Sequence, residues 1–110
     1  MLQFVDIGQQ NPPKRDKSQR KEDFGEIYQE FIHDRAKEQS SRCSQCGVPF
    51  CQVHCPLSNN IPDWLKLTAE GRYEEAYHLS QSTNNMPEVC GRICPQDRLC
   101  EGNCVIEQSG

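Results

Sequence analysis

The sequence predicts a mainly α-helical domain with cysteine-bearing, cluster-binding loops and no substantial β-sheet. Three observations carry this expectation. Apolar residues recur at helical spacing in several segments. No run of four or more residues alternates apolar and polar in the manner of a strand. Eight of the 110 residues are cysteines, and they form two groups interrupted by prolines and glycines: Cys43, Cys46, Cys51 and Cys55, then Cys90, Cys94, Cys100 and Cys104.

Residues 1–21 read as an extended basic N-terminal arm. They contain Pro12-Pro13 and carry five basic and two acidic side chains, whereas residues 22–110 carry seven basic and fourteen acidic ones. The arm is expected to stay extended and mobile unless a partner orders it. Its basic residues Lys14, Arg15, Lys17, Arg20 and Lys21 lack interleaved aromatics, and the body is acidic, which speaks against nucleic-acid binding. An acidic body beside a basic arm suits docking to a partner subunit. Met1 to Lys17 holds no apolar run of signal-peptide length, and no stretch approaches a transmembrane span, so the expected setting is the cytoplasm, with no membrane.

The first predicted helix runs from Glu22 to Ser41. Phe24, Ile27, Tyr28, Phe31, Ile32 and Ala36 would form one apolar stripe, with Glu22, Asp23 and Glu26 at the favourable end of the helix dipole. Gly47, Pro49 and Pro56 then forbid a long regular element between Cys46 and Cys55. Pro62 opens a second helix capped by Asn60 or Ile61, with Trp64, Leu65, Thr68 and Ala69 inward and Gly71 as terminator. A third helix spans Tyr73 to Gln81, with Tyr73, Ala76 and Tyr77 on one face. Pro87 begins a short fourth helix in which Cys90 and Cys94 share a side, and Cys100 and Cys104 repeat that spacing. Trp64, Tyr73 and Tyr77 are read as core residues and not as a redox relay.

A chain of this size with 35% hydrophobic residues builds only a modest core, so its cysteine-rich half needs another staple. Disulfides suit an oxidising compartment, which the N-terminus does not suggest. Zinc would use paired C-x2-C knuckles, and Cys43 with Cys46 makes one. The remaining pairs, Cys51 with Cys55, Cys90 with Cys94 and Cys100 with Cys104, have three intervening residues and suit the wider spread of ligands around an iron-sulfur cubane. A zinc-stabilised subunit-interaction domain is therefore the alternative to two 4Fe-4S clusters.

The first group reads C-x2-C-x4-C-x3-C-P, close to the run of two-cluster ferredoxins, in which the fourth cysteine serves the other cluster. Two partitions of the ligands are open. The sequential one keeps each group on its own cluster. The ferredoxin-like one crosses, with Cys43, Cys46, Cys51 and Cys104 on cluster 1 and Cys55, Cys90, Cys94 and Cys100 on cluster 2. Pro56 turns the chain away after Cys55 and favours crossing.

The segments Arg42 to Cys51, Cys55-Pro56-Leu57, Asn60-Ile61-Pro62-Asp63-Trp64 and Pro87 to Cys104 strongly resemble the N-terminal domain of the NADPH-dependent glutamate synthase small (beta) subunit. The resemblance runs from about Phe4 to the end of the chain. It implies a helical ferredoxin-like module with two 4Fe-4S clusters that relays electrons from NADPH and FAD in its own C-terminal domains. The implied acceptor is the FMN-containing large (alpha) subunit, where glutamate is made from glutamine and 2-oxoglutarate. The N-terminal domain of dihydropyrimidine dehydrogenase shares the cysteine plan, but there glutamine replaces one ligand, whereas all eight positions here are cysteine. The family continues into FAD- and NADPH-binding domains, and this chain has no G-x-G-x-x-G loop, so it is expected to be part of a longer flavoprotein subunit, with no catalytic residues of its own.

Arg92 and Arg98 flank Cys94 and are expected either to act on a cluster or to pair with acidic residues. His54 adjoins Cys55, but eight cysteines leave little need for a histidine ligand. Gly47, Gly91 and Gly102 are expected to permit close backbone approach and amide-to-sulfur hydrogen bonds.

Overall fold

The computed structural model describes residues 1–107. It contains α1 (Lys17–Arg20), α2 (His33–Ser40), α3 (Phe50–His54), α4 (Ile61–Ala69), α5 (Tyr73–Ser80) and α6 (Pro87–Ile93), with 3-10 turns at Gln3–Val5 and Gln96–Arg98. The fold is mainly α, as expected, and among the described residues the only strand-like pairing is an isolated antiparallel bridge between Lys14 and Tyr28. No helix is long and apolar enough to cross a membrane among the described residues.

The centre is the packing of α4 on α5 and on α2, with α3 touching α4 at the edge. α4 is specified at both ends. Asn60 occupies its N-cap and Pro62 sits in the first turn, where the missing N–H costs nothing. At the other end Gly71 takes φ 80°, its N–H donates to the Thr68 carbonyl, and the Arg72 N–H donates to the Leu67 carbonyl. These two bonds make a Schellman motif and reverse the chain directly into α5. Arg72 then pairs with Glu70 and Glu75 across the corner. Trp64 donates its indole N–H to Asn59 Oδ1 at 2.8 Å, while Asn59 Nδ2 donates to the Ser80 carbonyl and Thr83 Oγ1, both at 2.9 Å. One asparagine thereby ties the start of α4 to the end of α5. On α5, Ala76 is buried, but Tyr77 is 54% exposed, which corrects its reading as a core residue.

The helix expected over Glu22–Ser41 is reduced to α2, its C-terminal part. Residues 22–32 instead pair with the arm: Arg15 N–H donates to the Ile27 carbonyl and Gln29 N–H to the Pro13 carbonyl. The Arg15 guanidinium bridges the Asp23 carboxylate and the Glu26 carbonyl. Asp23 Oδ1 also accepts the Gly25 N–H, so a side chain takes the place of a helical carbonyl. Of the acids read as helix-dipole partners, Asp23 and Glu26 are loop anchors, and Phe24, on the supposed apolar stripe, is fully exposed.

The arm also lies along the approach to the first cysteine group. Leu2 N–H donates to the Cys43 carbonyl, Gln3 N–H to the Ser41 carbonyl, Arg42 Nε to the Ile7 carbonyl and Gln39 Nε2 to the Gly8 carbonyl. These contacts order a segment that its composition alone marks as mobile.

What the helices do not form is a substantial core. Ala76 and Pro62 are the buried apolar residues, and no large side chain is fully buried among the described residues. The radius of gyration, 14.7 Å, exceeds the ~13 Å of a typical domain of this length. Apolar burial this small leaves the cysteine-bearing half in need of a further cross-link.

Candidate metal centre

Two short helices, α3 and α6, each end on a Cys-Pro pair. A residue before proline is driven out of the α region, and Cys55 (ψ 123°) and Cys94 (ψ 134°) are accordingly extended C-caps. Each cap N–H still donates back into its helix, Cys55 to the Gln52 carbonyl at 3.2 Å and Cys94 to the Cys90 carbonyl at 2.9 Å. C-x3-C-P is thus one structural unit used twice: a cysteine inside a helical turn, a second at its end, and a proline that sends the chain away.

Cys43 and Cys46 come from the loop after α2. Gln45 between them adopts a left-handed φ of 51°, and its N–H and Nε2 both donate to Cys43 Sγ, at 3.4 and 3.3 Å. Cys46 Sγ donates to the Val48 carbonyl.

Cys100 and Cys104 lie in a turn organised by Gln96. Its carbonyl accepts the N–H groups of Leu99, Glu101 and Gly102, and its side chain donates to the Gly91 carbonyl in α6. Asn103 Nδ2 caps the Arg98 and Leu99 carbonyls. The turn is so tight that a Cβ at Gly102 would stand 2.0 Å from the Asp97 carbonyl oxygen. Gly102 is thus a tight-turn glycine whose N–H goes to the Gln96 carbonyl and not to sulfur, and a Cβ at Gly47 or Gly91 would meet nothing within 4 Å. The i, i+4 spacing of Cys100 and Cys104 arises in this turn and not in a helix.

All eight cysteines are free thiols of intermediate burial. Burial pushes the Cys51 thiol up to about 11, and Cys104, Cys46 and Cys43 lie close enough to raise it further. Burial likewise raises the Cys100 thiol, with Glu101 and Cys94 adding to the shift. Cys104 is thus within electrostatic reach of Cys51 despite lying far from it in sequence. Among the described residues no three His, Cys, Asp or Glu side chains converge tightly enough to hold a single metal ion.

Desolvated thiols near one another disfavour their own ionisation, and a cationic metal group reverses that cost by binding the thiolates. The donor set, all sulfur, half-buried and backed by amide donors, fits iron-sulfur chemistry.

The neighbouring candidates sort as follows. His54 is exposed and its Nδ1 is hydrogen-bonded to the Phe50 carbonyl of its own helix. Arg92 pairs with Glu26, in line with the plainer of its two expected roles, while Arg98 is exposed. Two residues that sequence reasoning passed over touch sulfur: Gln45, above, and Asn84, whose Nδ2 donates to Cys90 Sγ at 3.0 Å. A signal existed for the second, since an asparagine three residues before Pro87 is placed to cap the α6 turn.

Comparison with known proteins sets these observations in a family context. The family model described as dihydropyrimidine dehydrogenase domain II, 4Fe-4S cluster, matches residues 20–110. The glutamate synthase [NADPH] small chain of Azospirillum brasilense is 72% identical over 109 residues, 99% of this chain and 23% of that protein. That of Escherichia coli (strain K12) is 54% identical over 106 residues, 96% of this chain and 22% of that protein. That of Bacillus subtilis (strain 168) is 38% identical over 112 residues, 94% of this chain and 22% of that protein. The chain spans less than a quarter of the length of these curated relatives.

Proposed function

The chain belongs to the dihydropyrimidine dehydrogenase domain II, 4Fe-4S cluster family, and on that premise we propose that it is the electron-transfer module of a glutamate synthase small subunit, carrying two 4Fe-4S clusters. FAD and NADPH belong, in this reading, to further domains of the same subunit, and the large subunit is the partner that receives the electrons. The cysteine chemistry suits a reducing compartment, the cytoplasm.

The ligand sets we assign are the crossed ones: Cys43, Cys46, Cys51 and Cys104 for one cluster, Cys55, Cys90, Cys94 and Cys100 for the other. What supports this is the extended Cys55 cap, where Pro56 sends the chain away from the first group, with Cys104 within electrostatic reach of Cys51. Bound clusters supply one-electron carriage at potentials set by sulfur hydrogen bonding and exposure. The chain's own residues hold and orient the thiolates. The Cys-Pro units stop α3 and α6 at their sulfurs, the Gln96 turn presents Cys100 and Cys104, and the arm fixes the backbone at Cys43. Crossing would also tie the two halves together through metal, which supplies the cross-link that the small core lacks.

The protein purified anaerobically should be brown, with iron and acid-labile sulfide in equal amounts; a colourless protein with stoichiometric zinc would overturn the reading. Double variants test the crossing. Cys104→Ala combined with Cys43→Ala should lose no more iron than either single variant, whereas Cys104→Ala with Cys90→Ala should lose both clusters. The reverse pattern would establish sequential ligation.

A further inference from the structure

We propose that Gln45 and Asn84 are positioning residues that set the reduction potentials of the two clusters, one residue to each, by donating side-chain amide hydrogen bonds to ligand sulfurs. The proposal rests on the cluster reading above. It is independent of how the ligands are partitioned, because Cys43 and Cys90 fall on different clusters in both the crossed and the sequential scheme.

The geometry of both amides is held from a second side. Gln45 Nε2 donates to Cys43 Sγ at 3.3 Å and to the Pro62 carbonyl at 2.8 Å. Pro62 is buried in the first turn of α4, so the Gln45 amide is anchored on the best-packed helix of the domain. Asn84 Nδ2 donates to Cys90 Sγ at 3.0 Å while its Oδ1 accepts the Met86 N–H at 3.0 Å. These second contacts also fix which end of each amide faces sulfur. A carbonyl oxygen opposite Gln45 requires the NH2 end, and an N–H opposite Asn84 Oδ1 turns the NH2 end towards Cys90. Both contacts are partly buried.

Reduction adds one negative charge to a cluster and its sulfurs. An N–H held against a ligand sulfur stabilises that charge more in the reduced than in the oxidised state, and so raises the potential. Cys43 also receives the Gln45 backbone N–H at 3.4 Å, which side-chain substitutions leave in place. The larger effect is therefore expected at Asn84.

The test is an EPR-monitored redox titration of the intact protein and its Gln45→Met, Asn84→Leu and Asn84→Asp variants, with iron and sulfide determined on each. Gln45→Met and Asn84→Leu remove the donor at similar size. Asn84→Asp removes the donor, keeps an oxygen for the Met86 N–H and adds a carboxylate charge that lowers the same potential further, so Asn84→Leu reads the lost sulfur contact and Asn84→Asp checks that the turn before α6 holds. Each variant should keep the parent's iron and sulfide, lower the potential of one cluster and leave the other unmoved, and the Gln45 and Asn84 variants should move different clusters. At Asn84 the expected shift is about tenfold in the reduction equilibrium, about 59 mV for a one-electron couple. Unchanged potentials, equal movement of both clusters by one substitution, or loss of iron without a shift in both Asn84 variants would overturn the assignment. A parent protein without iron and sulfide would instead overturn the cluster reading on which it stands.

Discussion

Gly102→Ala is a sharp test of how the second cysteine group is built. The added methyl would lie 2.0 Å from the Asp97 carbonyl oxygen and 2.9 Å from its carbon. Carbon-to-oxygen contacts do not close below about 3.3 Å, so the turn must open by more than ~1 Å. The other side of the contact is backbone, which cannot swing aside as a flexible side chain would. Opening pulls Gly102 and Glu101 away from the Gln96 carbonyl, which accepts their N–H groups at 3.3 and 2.9 Å. Overpacking of this kind costs about 1–3 kcal/mol, and a lost hydrogen bond about 1 kcal/mol more. The combined ~2–4 kcal/mol is a large fraction of the ~5–15 kcal/mol that holds a typical domain together. Urea unfolding of the anaerobically purified protein, followed by circular dichroism and visible absorbance, should give a lower midpoint together with a loss of iron. Gly8→Ala, whose methyl meets nothing within 4 Å, is the control and should leave both unchanged. If Gly102→Ala keeps the parent's midpoint and iron content, the turn is not packed as described.

Asn59→Ala should cost about 2–3 kcal/mol, because it removes three hydrogen bonds and strands the Trp64 indole N–H. Urea midpoints of Asn59→Ala, Trp64→Phe and the pair should combine less than additively, since the two residues share a bond; strict additivity would contradict the link. In metal-free protein, Cys51 and Cys100 should be alkylated last by iodoacetamide, as burial holds their thiols neutral. The sign of the pH effect follows. A thiol pKa raised in the folded state stabilises the fold below the usual value of 9, and this stability drains away as pH climbs towards about 11. Urea midpoints of metal-free protein should fall over that window, and peptide mapping that finds Cys51 labelled first would refute the burial argument.

Legibility of the fold depended on the range of the interaction that decides each element. α4, α5 and α6 stand where Pro62, Gly71 and Pro87 place them, because a proline early in a helix and a left-handed glycine after one act over a single turn. The Glu22–Ser41 stripe misled because periodicity takes no account of Arg15, whose guanidinium draws Asp23 and the Glu26 carbonyl into a loop. Tyr77 sits at helical spacing from Tyr73, yet it stays more than half exposed with only the His78 ring edge-on to it, and its hydroxyl accepts from Gln81. At the candidate site, cysteine spacing and the two Cys-Pro pairs were legible in full. The sulfur contact of Gln45 was not, since its anchor, the Pro62 carbonyl, comes from α4, whereas Asn84 is held by the neighbouring Met86 N–H and left only a turn signal.

By itself the sequence determined the chemistry: a helical chain with too little apolar surface for a core, eight thiols in two groups, and the family those thiols belong to. Tertiary structure decided which groups meet. It clipped the arm to the Cys43 backbone, closed the Gln96 turn to leave Gly102 no room for a side chain, and brought Cys104 within electrostatic reach of Cys51. The physical reason is the same in each case. Ligand type and turn chemistry are properties of a few adjacent residues, whereas these encounters join distant parts of the chain and exist only once the intervening helices have packed.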